Sequence, residues 1–297
     1  MKLLTCQFED KERIAVLTAS GSHVILLSSI VDIPEDMSMT AFIASHTDEM
    51  LEKVRRAAEA PENGSMVALE DVRFCAPITR PIHDILCVGV NYASHLIETR
   101  RGLKDGKFQQ PESSIYFAKR ACRISGPEDQ VVFREDLDPE MDYEVELAVI
   151  IGKKAKDLAP EETEDVIFGY SVFNDFSSRT LQRNHKQWLR GKSLDGYTAM
   201  GPVIVTRDEL PYPLKVDVIC IVNGEVRQHS NTELLLNGVP GLISDLSGGT
   251  TLEPGDIIAT GTPSGVAMGM EHPKYLRKGD VVTCTIPEIG DLTNYIV

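Results

Sequence analysis

Residues 216–222 read Val-Asp-Val-Ile-Cys-Ile-Val, followed by Asn223-Gly224 and then Glu-Val-Arg-Gln. Asn-Gly supplies two consecutive left-handed residues, which a tight antiparallel turn requires, and the flanking runs alternate as half-buried strands do. This is the strongest local pairing signal in the chain, and the neighbouring segments agree with it. Asp142 to Gly152 alternates and then becomes wholly apolar, and Phe168 to Phe176 is a second strand candidate. Val281 to Ile286 and Leu292 to Val297 form a last pair around Gly290-Asp291. Helical patterns are few: near Pro160 to Ile167, Ser177 to Trp188 and Val239 to Leu246. Regular βαβ alternation is absent, so the chain reads as an α+β protein that is mostly β.

Residues 1–75 read as a small N-terminal α+β unit. Short β-like runs at Ile14 to Leu17 and His23 to Leu27 precede a charged helix near His46 to Ala60. Pro61-Glu62-Asn63-Gly64 then stops that helix. A proline-containing linker, Ala76 to Pro81, opens a second unit over residues 76–297. At 297 residues and 42% apolar, the chain can bury a core without covalent staples. The six cysteines form no Cys-x-x-Cys pair and read as free thiols in apolar strands. The N-terminus turns charged too early for a signal peptide, and no apolar stretch approaches the roughly 20 residues of a membrane span. These features place the protein in the cytoplasm or an equivalent reducing compartment, away from membranes. A formal net charge of −15 repels phosphate backbones and disfavours nucleic acid. It leaves anionic small substrates open, because a bound divalent cation dominates its local field.

Asp142-Tyr143-Glu144-Val145-Glu146-Leu147 carries the most chemistry. In a strand, residues two apart project from the same face, so Glu144 and Glu146 point together, with Asp142 beside them. Adjacent like charges disfavour each other unless a cation intervenes; a solvent-facing strand fits the spacing equally well. Asp175, at the end of Val172-Phe173-Asn174-Asp175, adds a third carboxylate at a strand end. Alone it also fits a helix-capping neighbour. Together the three make a hard oxygen site suited to Mg²⁺ or Mn²⁺.

Arg179 and Gln182, three residues apart, share one face of the helix expected from Ser177, within reach of a ligand beside such an ion. An arginine fork suits a carboxylate, although a surface arginine fits the same local pattern. His95 and Glu98 are also three apart. On one helical turn they form a dyad able to act as a general base near neutral pH, or an ordinary exposed pair. Lys192, in Arg190-Gly191-Lys192-Ser193, is a loop lysine able to stabilise developing negative charge. Ala259-Thr260-Gly261-Thr262-Pro263-Ser264-Gly265 forms a tight loop that offers backbone N–H groups and hydroxyls, and it lacks the Gly-Lys-Ser/Thr of a phosphate-binding loop.

From about residue 80 to 297 these segments, in this order, resemble the fumarylacetoacetate hydrolase superfamily. Six segments carry the resemblance: Val88-Gly89-Val90-Asn91-Tyr92 with His95 and Glu98, Asp142 to Leu147, Asn174 to Arg179 with Gln182, Gln187-Trp188 with Gly191-Lys192-Ser193, Val222-Asn223-Gly224-Glu225, and Gly261-Thr262-Pro263-Ser264-Gly265. The resemblance implies a mixed β-roll-like catalytic domain, a homodimer, and a small 2-oxo carboxylate substrate. It implies that Glu144, Glu146 and Asp175 bind Mg²⁺ or Mn²⁺. His95 and Glu98 would activate water, Lys192 would sit beside the reacting carbonyl, and Arg179, Gln182 and Thr262 would contact substrate. Phe117-Ala118-Lys119-Arg120-Ala121 departs from the pattern by lacking a Lys-Pro step.

The leading expectation is hydrolysis of a C–C bond in an acylpyruvate-like 2,4-dioxo acid, with an enolate leaving group whose charge the cation offsets. Decarboxylation of oxaloacetate, or tautomerisation or isomerisation of 2-oxo diacids, uses the same metal site, with less demand on His95 in decarboxylation. A non-catalytic metal-binding scaffold is the alternative from another class. Fold alone does not choose among them.

Overall fold

The computed structural model describes residues 1–62, 64–102 and 112–297, without the side chains of 100–102. Asn63, in the expected helix stop, lies outside the described residues. The chain is mixed α/β and mostly sheet. Among the described residues one 11-stranded sheet dominates. Its path runs Met66–Ala68, His23–Leu26, Lys11–Leu17, Lys2–Phe8, Thr198–Thr206, Ile167–Asp175, Val145–Ile151, Ile257–Ala259, Ile85–Gly89, Ile115–Lys119. Arg73–Phe74 pairs off this path with Lys2–Phe8. The strands of the N-terminal segment therefore continue the sheet through Lys2–Phe8, which lies antiparallel to Thr198–Thr206. Sequence reading passed over that first strand because its single charge and early Gln hide four buried positions, Leu3 to Cys6.

A 5-stranded sheet, ordered Glu225–Asn231, Asp217–Val222, Val281–Ile286, Gly290–Ile296, Gln130–Val131, packs against the large one. The expected hairpin is present: Asn223 (φ 52°) and Gly224 (φ 82°) turn Asp217–Val222 into Glu225–Asn231. The side-chain alternation of Val145–Ile151 explains why this strand is buried throughout. Val145, Leu147, Val149 and Ile151 enter the core between the two sheets, with Cys220, Val282 and Cys284. Ala148 and Ile150 enter a second core on the opposite face, beneath the helices Met39–Ser45 and Asp48–Glu59, with Phe42, Ile43 and Val54. Glu146 has the parity of this second face, at the end where its apolar residues give out.

Three local expectations are corrected. The strand foreseen over 142–152 is interrupted at Tyr143-Glu144, between Met141–Asp142 and Val145–Ile151. There, side chains take the backbone donors: Tyr143 N donates to Asp142 Oδ1 (2.9 Å) and Glu144 N to Asn174 Oδ1 (3.1 Å). The helix foreseen over 177–188 is two short helices, Arg179–Asn184 and Leu189–Lys192. Ser177–Ser178 pairs as a strand with Met141–Asp142, and Lys186 at φ 51° interrupts the helical path. Tertiary pairing has overridden a modest helix preference. Lys192 is thus the last residue of a helix and 2% exposed, not a free loop lysine. The segment Pro160–Val166 is a 3₁₀ helix. Val239–Ser247 forms as expected, and all six cysteines are free.

Candidate active site

The register between two strands builds the acidic cluster. Glu146 lies opposite Phe173, and Asp175 N donates to Glu144 O (2.9 Å), so Asp175 sits across from Glu144 and diagonal to Glu146. One carboxylate oxygen from each of Glu144, Glu146 and Asp175 lies within 4.8 Å of the others. All three residues are buried, which removes the solvent-facing alternative.

Buried charge requires partners. Arg179, 1% exposed, donates through Nε to Asp142 Oδ2 (2.9 Å), through Nη2 to Glu144 Oε1 (2.6 Å), and through Nη1 to Gln182 Oε1 (3.0 Å). Asp142 also accepts from the backbone N–H groups of Ala267 (2.8 Å) and Met268 (3.0 Å). Lys192 Nζ bridges Glu144 Oε2 (2.6 Å) and Asp175 Oδ2 (2.7 Å). Lys119, fully buried, donates to Asp175 Oδ1 (2.5 Å), Phe176 O (3.0 Å) and Tyr197 O (2.9 Å). In contrast, among the described residues the Glu146 carboxylate meets one donor, Gly261 N (2.8 Å).

The titration behaviour follows from that distribution. Burial alone would raise Glu144, but Lys192 and Arg179 hold its carboxyl well below the usual range. Glu146 goes the other way: burial, then the charges of Asp175 and Glu144, push it well up. Lys192 is raised, since Asp175 and Glu144 outweigh its burial, while burial lowers Lys119. Four carboxyl groups thus face three cations, and among the described residues Glu146 is the acid that no cation meets. A cluster of hard oxygens with one acid short of a counter-charge fits a divalent cation such as Mg²⁺ or Mn²⁺.

The loop after Ile257–Ala259 closes the other side. Gly261, at φ 96°, presents its N–H to Glu146, and a Cβ there would stand 2.8 Å from Asn91 Cβ and Val88 O. Gln228, from the hairpin, donates to Thr262 Oγ1 (2.8 Å) and Pro263 O (2.9 Å) while accepting from Val145 N (3.1 Å). Thr262 Oγ1 is held as an acceptor on that side. The helix Ala93–Gly102 brings His95 and Glu98 over the site. His95 Nδ1 lies 3.5 Å from Glu98 Oε2 without hydrogen-bond geometry, and among the described residues this buried nitrogen makes no hydrogen bond. Glu98 instead accepts from Gly265 N with both oxygens (2.9 Å each).

A cavity of about 30 Å³ joins these groups, lined by His95, Glu144, Glu146, Arg179, Gln182, Lys192 and Thr262 with apolar walls including Phe117 and Trp188. All the site residues singled out in the sequence except Glu98 and Asp175 line it; those two contact its wall from behind. Sequence reading missed Lys119 and Gln228. Lys119 carried a faint signal, a lone lysine ending the apolar run Ile115-Tyr116-Phe117-Ala118, while Gln228 carried none beyond strand parity.

The sheet and its buried triad define a carboxylate-lined site, able to hold a hard cation, under a helical cover. Residues 84–297 match the family described as "Fumarylacetoacetate (FAA) hydrolase C-terminal". The chain belongs to the fumarylacetoacetate hydrolase family. It is 41% identical to the oxaloacetate tautomerase YisK of Bacillus subtilis (strain 168), over 86% of this chain and 82% of that protein. Among solved structures it resembles a fumarylacetoacetate hydrolase from the psychrophile Exiguobacterium antarcticum (TM-score 0.82, 38% identity, 100% of this chain and 99% of that one). It also resembles the maleylpyruvate hydrolase of Sphingobium sp. SYK-6, solved with manganese(II) and pyruvate (TM-score 0.76, 29% identity, 100% and 99%). Among the described residues no helix is long and apolar enough to cross a membrane.

Proposed function

We propose that the protein is a divalent-metal-dependent tautomerase of a small 2-oxo diacid, with oxaloacetate as the substrate that fits best. The observation that carries this reading is the placement of His95 in the wall of the cavity that Glu144 and Glu146 also line, its ring making no hydrogen bond through Nδ1 among the described residues. Enol–keto exchange needs one group to carry a proton between carbon and oxygen of a bound substrate, and an imidazole free of other partners can do so near neutral pH. Glu144, Glu146 and Asp175 would hold Mg²⁺ or Mn²⁺, which supplies a Lewis acid for the 2-oxo carboxylate end. Arg179 braces Glu144 through Asp142 and Gln182, and the Gln182 amide N–H groups and the Thr262 hydroxyl orient the diacid. Lys192 supplies positive charge beside the 2-oxo group. Glu98 steadies the Gly265 turn beside His95. The similarity to an oxaloacetate tautomerase over most of both chains supports the assignment. The reading includes a homodimer in the cytoplasm, which sedimentation of the purified protein and cell fractionation test.

A second reading, hydrolysis of an acylpyruvate-type C–C bond, draws support from the likeness to maleylpyruvate hydrolase, on a site with the same acidic cluster. The test is a panel of enol-oxaloacetate, acetylpyruvate and fumarylpyruvate with Mg²⁺ or Mn²⁺. Enol absorbance should decay faster than its spontaneous rate for oxaloacetate, with no pyruvate released from the diketo acids. Stoichiometric pyruvate from a diketo acid transfers the assignment to the hydrolase. Turnover that survives chelation of the metal overturns both.

A further inference from the structure

The two lysines at the acidic cluster differ in how they are held. Lys119 is sealed: its ammonium has three donors, and all three have oxygen partners in Asp175, Phe176 and Tyr197. Lys192 has two oxygen partners, lines the cavity, ends a four-residue helix, and holds Nζ 5.1 Å from the Phe117 ring centroid. Every oxygen of Glu144 and Asp175 has a cation at hydrogen-bond distance, from Arg179, Lys192 or Lys119. An ion bridging Glu144 and Asp175 needs oxygens at about 2.0–2.2 Å, and an ammonium 2.6 and 2.7 Å from Oε2 and Oδ2 lies in that space. Two cations cannot share it.

We infer, resting on the metal reading above, that Lys192 and the divalent cation compete for the same two carboxylate oxygens. Lys192 is therefore a built-in brake on metal affinity, and binding of the ion turns its ammonium toward the substrate cavity. Arg179 cannot yield in its place, because its other donors are fixed on Asp142 and Gln182. Lys119 cannot yield because it is enclosed and saturated. Three consequences follow: the ion binds before the 2-oxo acid, the released ammonium adds positive charge where an anionic substrate sits, and the brake is removed by neutralising a residue that also serves the substrate. Metal affinity and substrate affinity should then move in opposite directions when Lys192 is changed.

Mn²⁺ binding, followed by loss of the free-ion electron paramagnetic resonance signal and by calorimetry, tests this without any assay of turnover. Four proteins are compared at one pH and ionic strength: wild type, Lys192→Met, Lys192→Gln and Lys119→Met, with Glu146→Gln as the control that removes the site. Lys192→Gln keeps a donor for both carboxylates and drops only the charge, so it serves if Lys192→Met fails to fold. Both Lys192 variants should bind Mn²⁺ about tenfold tighter or more, the order of one charge-assisted hydrogen bond. Lys119→Met should bind more weakly, because Asp175 loses its fixed anchor. Oxalate binding to the Mn²⁺-loaded Lys192 variants should weaken while their metal affinity rises. Equal or weaker Mn²⁺ binding by Lys192→Gln overturns the competition alone. Equal, negligible Mn²⁺ uptake by wild type and Glu146→Gln removes the metal reading and this inference with it.

Discussion

Arg179→Met leaves the volume nearly filled and removes one fully buried guanidinium that joins Asp142, Glu144 and Gln182. Removing one partner of a buried ion pair costs about 3–5 kcal/mol, because the remaining charge keeps its desolvation penalty without its counter-ion. Both carboxylates retain some support here: Lys192 stays on Glu144, and the Ala267 and Met268 N–H groups stay on Asp142. That support argues against a larger loss. At about 2.1 cal/mol/K per residue over 297 residues, the unfolding entropy is about 0.6 kcal/mol/K, so the melting temperature should fall by about 5–8 °C. Calorimetry on the metal-free variant reads this directly. Adding Asp142→Asn should cost less than the sum of the two single changes, since the arginine and the aspartate serve one network. A drop below about 2 °C, or full additivity, would refute the claim that Arg179 neutralises both acids.

His95→Asn should lower kcat for enol–keto exchange by about 10²–10⁴ with the fold intact, the usual contribution of one positioned proton carrier; enol absorbance decay measures it, and an unchanged rate removes His95 from the mechanism. Gly89→Ala places a Cβ 2.4 Å from Trp188 Cζ3 and 2.8 Å from Cη2, so the chain's only tryptophan must move. The overpacking should cost about 1–3 kcal/mol and shift Trp188 emission. Unchanged emission and stability would contradict the packing of Trp188 on Phe117, whose ring centroids stand 5.1 Å apart. His83 Nδ1 lies 2.7 Å from Asp256 Oδ1, and that hydrogen bond raises the imidazole above its ordinary 6.5. A raised folded value stabilises fully below the unfolded value and ceases to do so as pH climbs through the folded one. His83→Gln should therefore lower the melting temperature more at pH 5.5 than at pH 8.5, modestly because His83 is half exposed; an equal gap at both would reject it.

What the sequence disclosed and what it withheld separate along one physical line. Parity rules are local, so Asp142, Glu144 and Glu146 could be placed on one side of a strand, and Asn223-Gly224 could be read as a hairpin. The apolar run over 145–151 was legible as a strand for the same reason, whereas the two separate cores that its faces enter were not. Register between strands is not local. Nothing within Val172 to Asp175 states that Asp175 will stand opposite Glu144, and nothing in 225–231 states that Gln228 will brace Thr262. The helix over 177–188 failed on the same ground, because the partner of Ser177–Ser178 is Met141–Asp142, far away in the chain. Lys119 is the sharpest case. A lysine at a strand end reads as an exposed terminator, yet this one is fully buried, since the strand Ile115–Lys119 delivers its ammonium to Asp175 and two backbone carbonyls. The acids of a metal site announce themselves because like charges close in sequence need explaining. Their counter-ions come from other elements and become visible only once the sheet has been assembled, which is why the charge balance that leaves Glu146 without a cation among the described residues could be read from the fold and not from the chain.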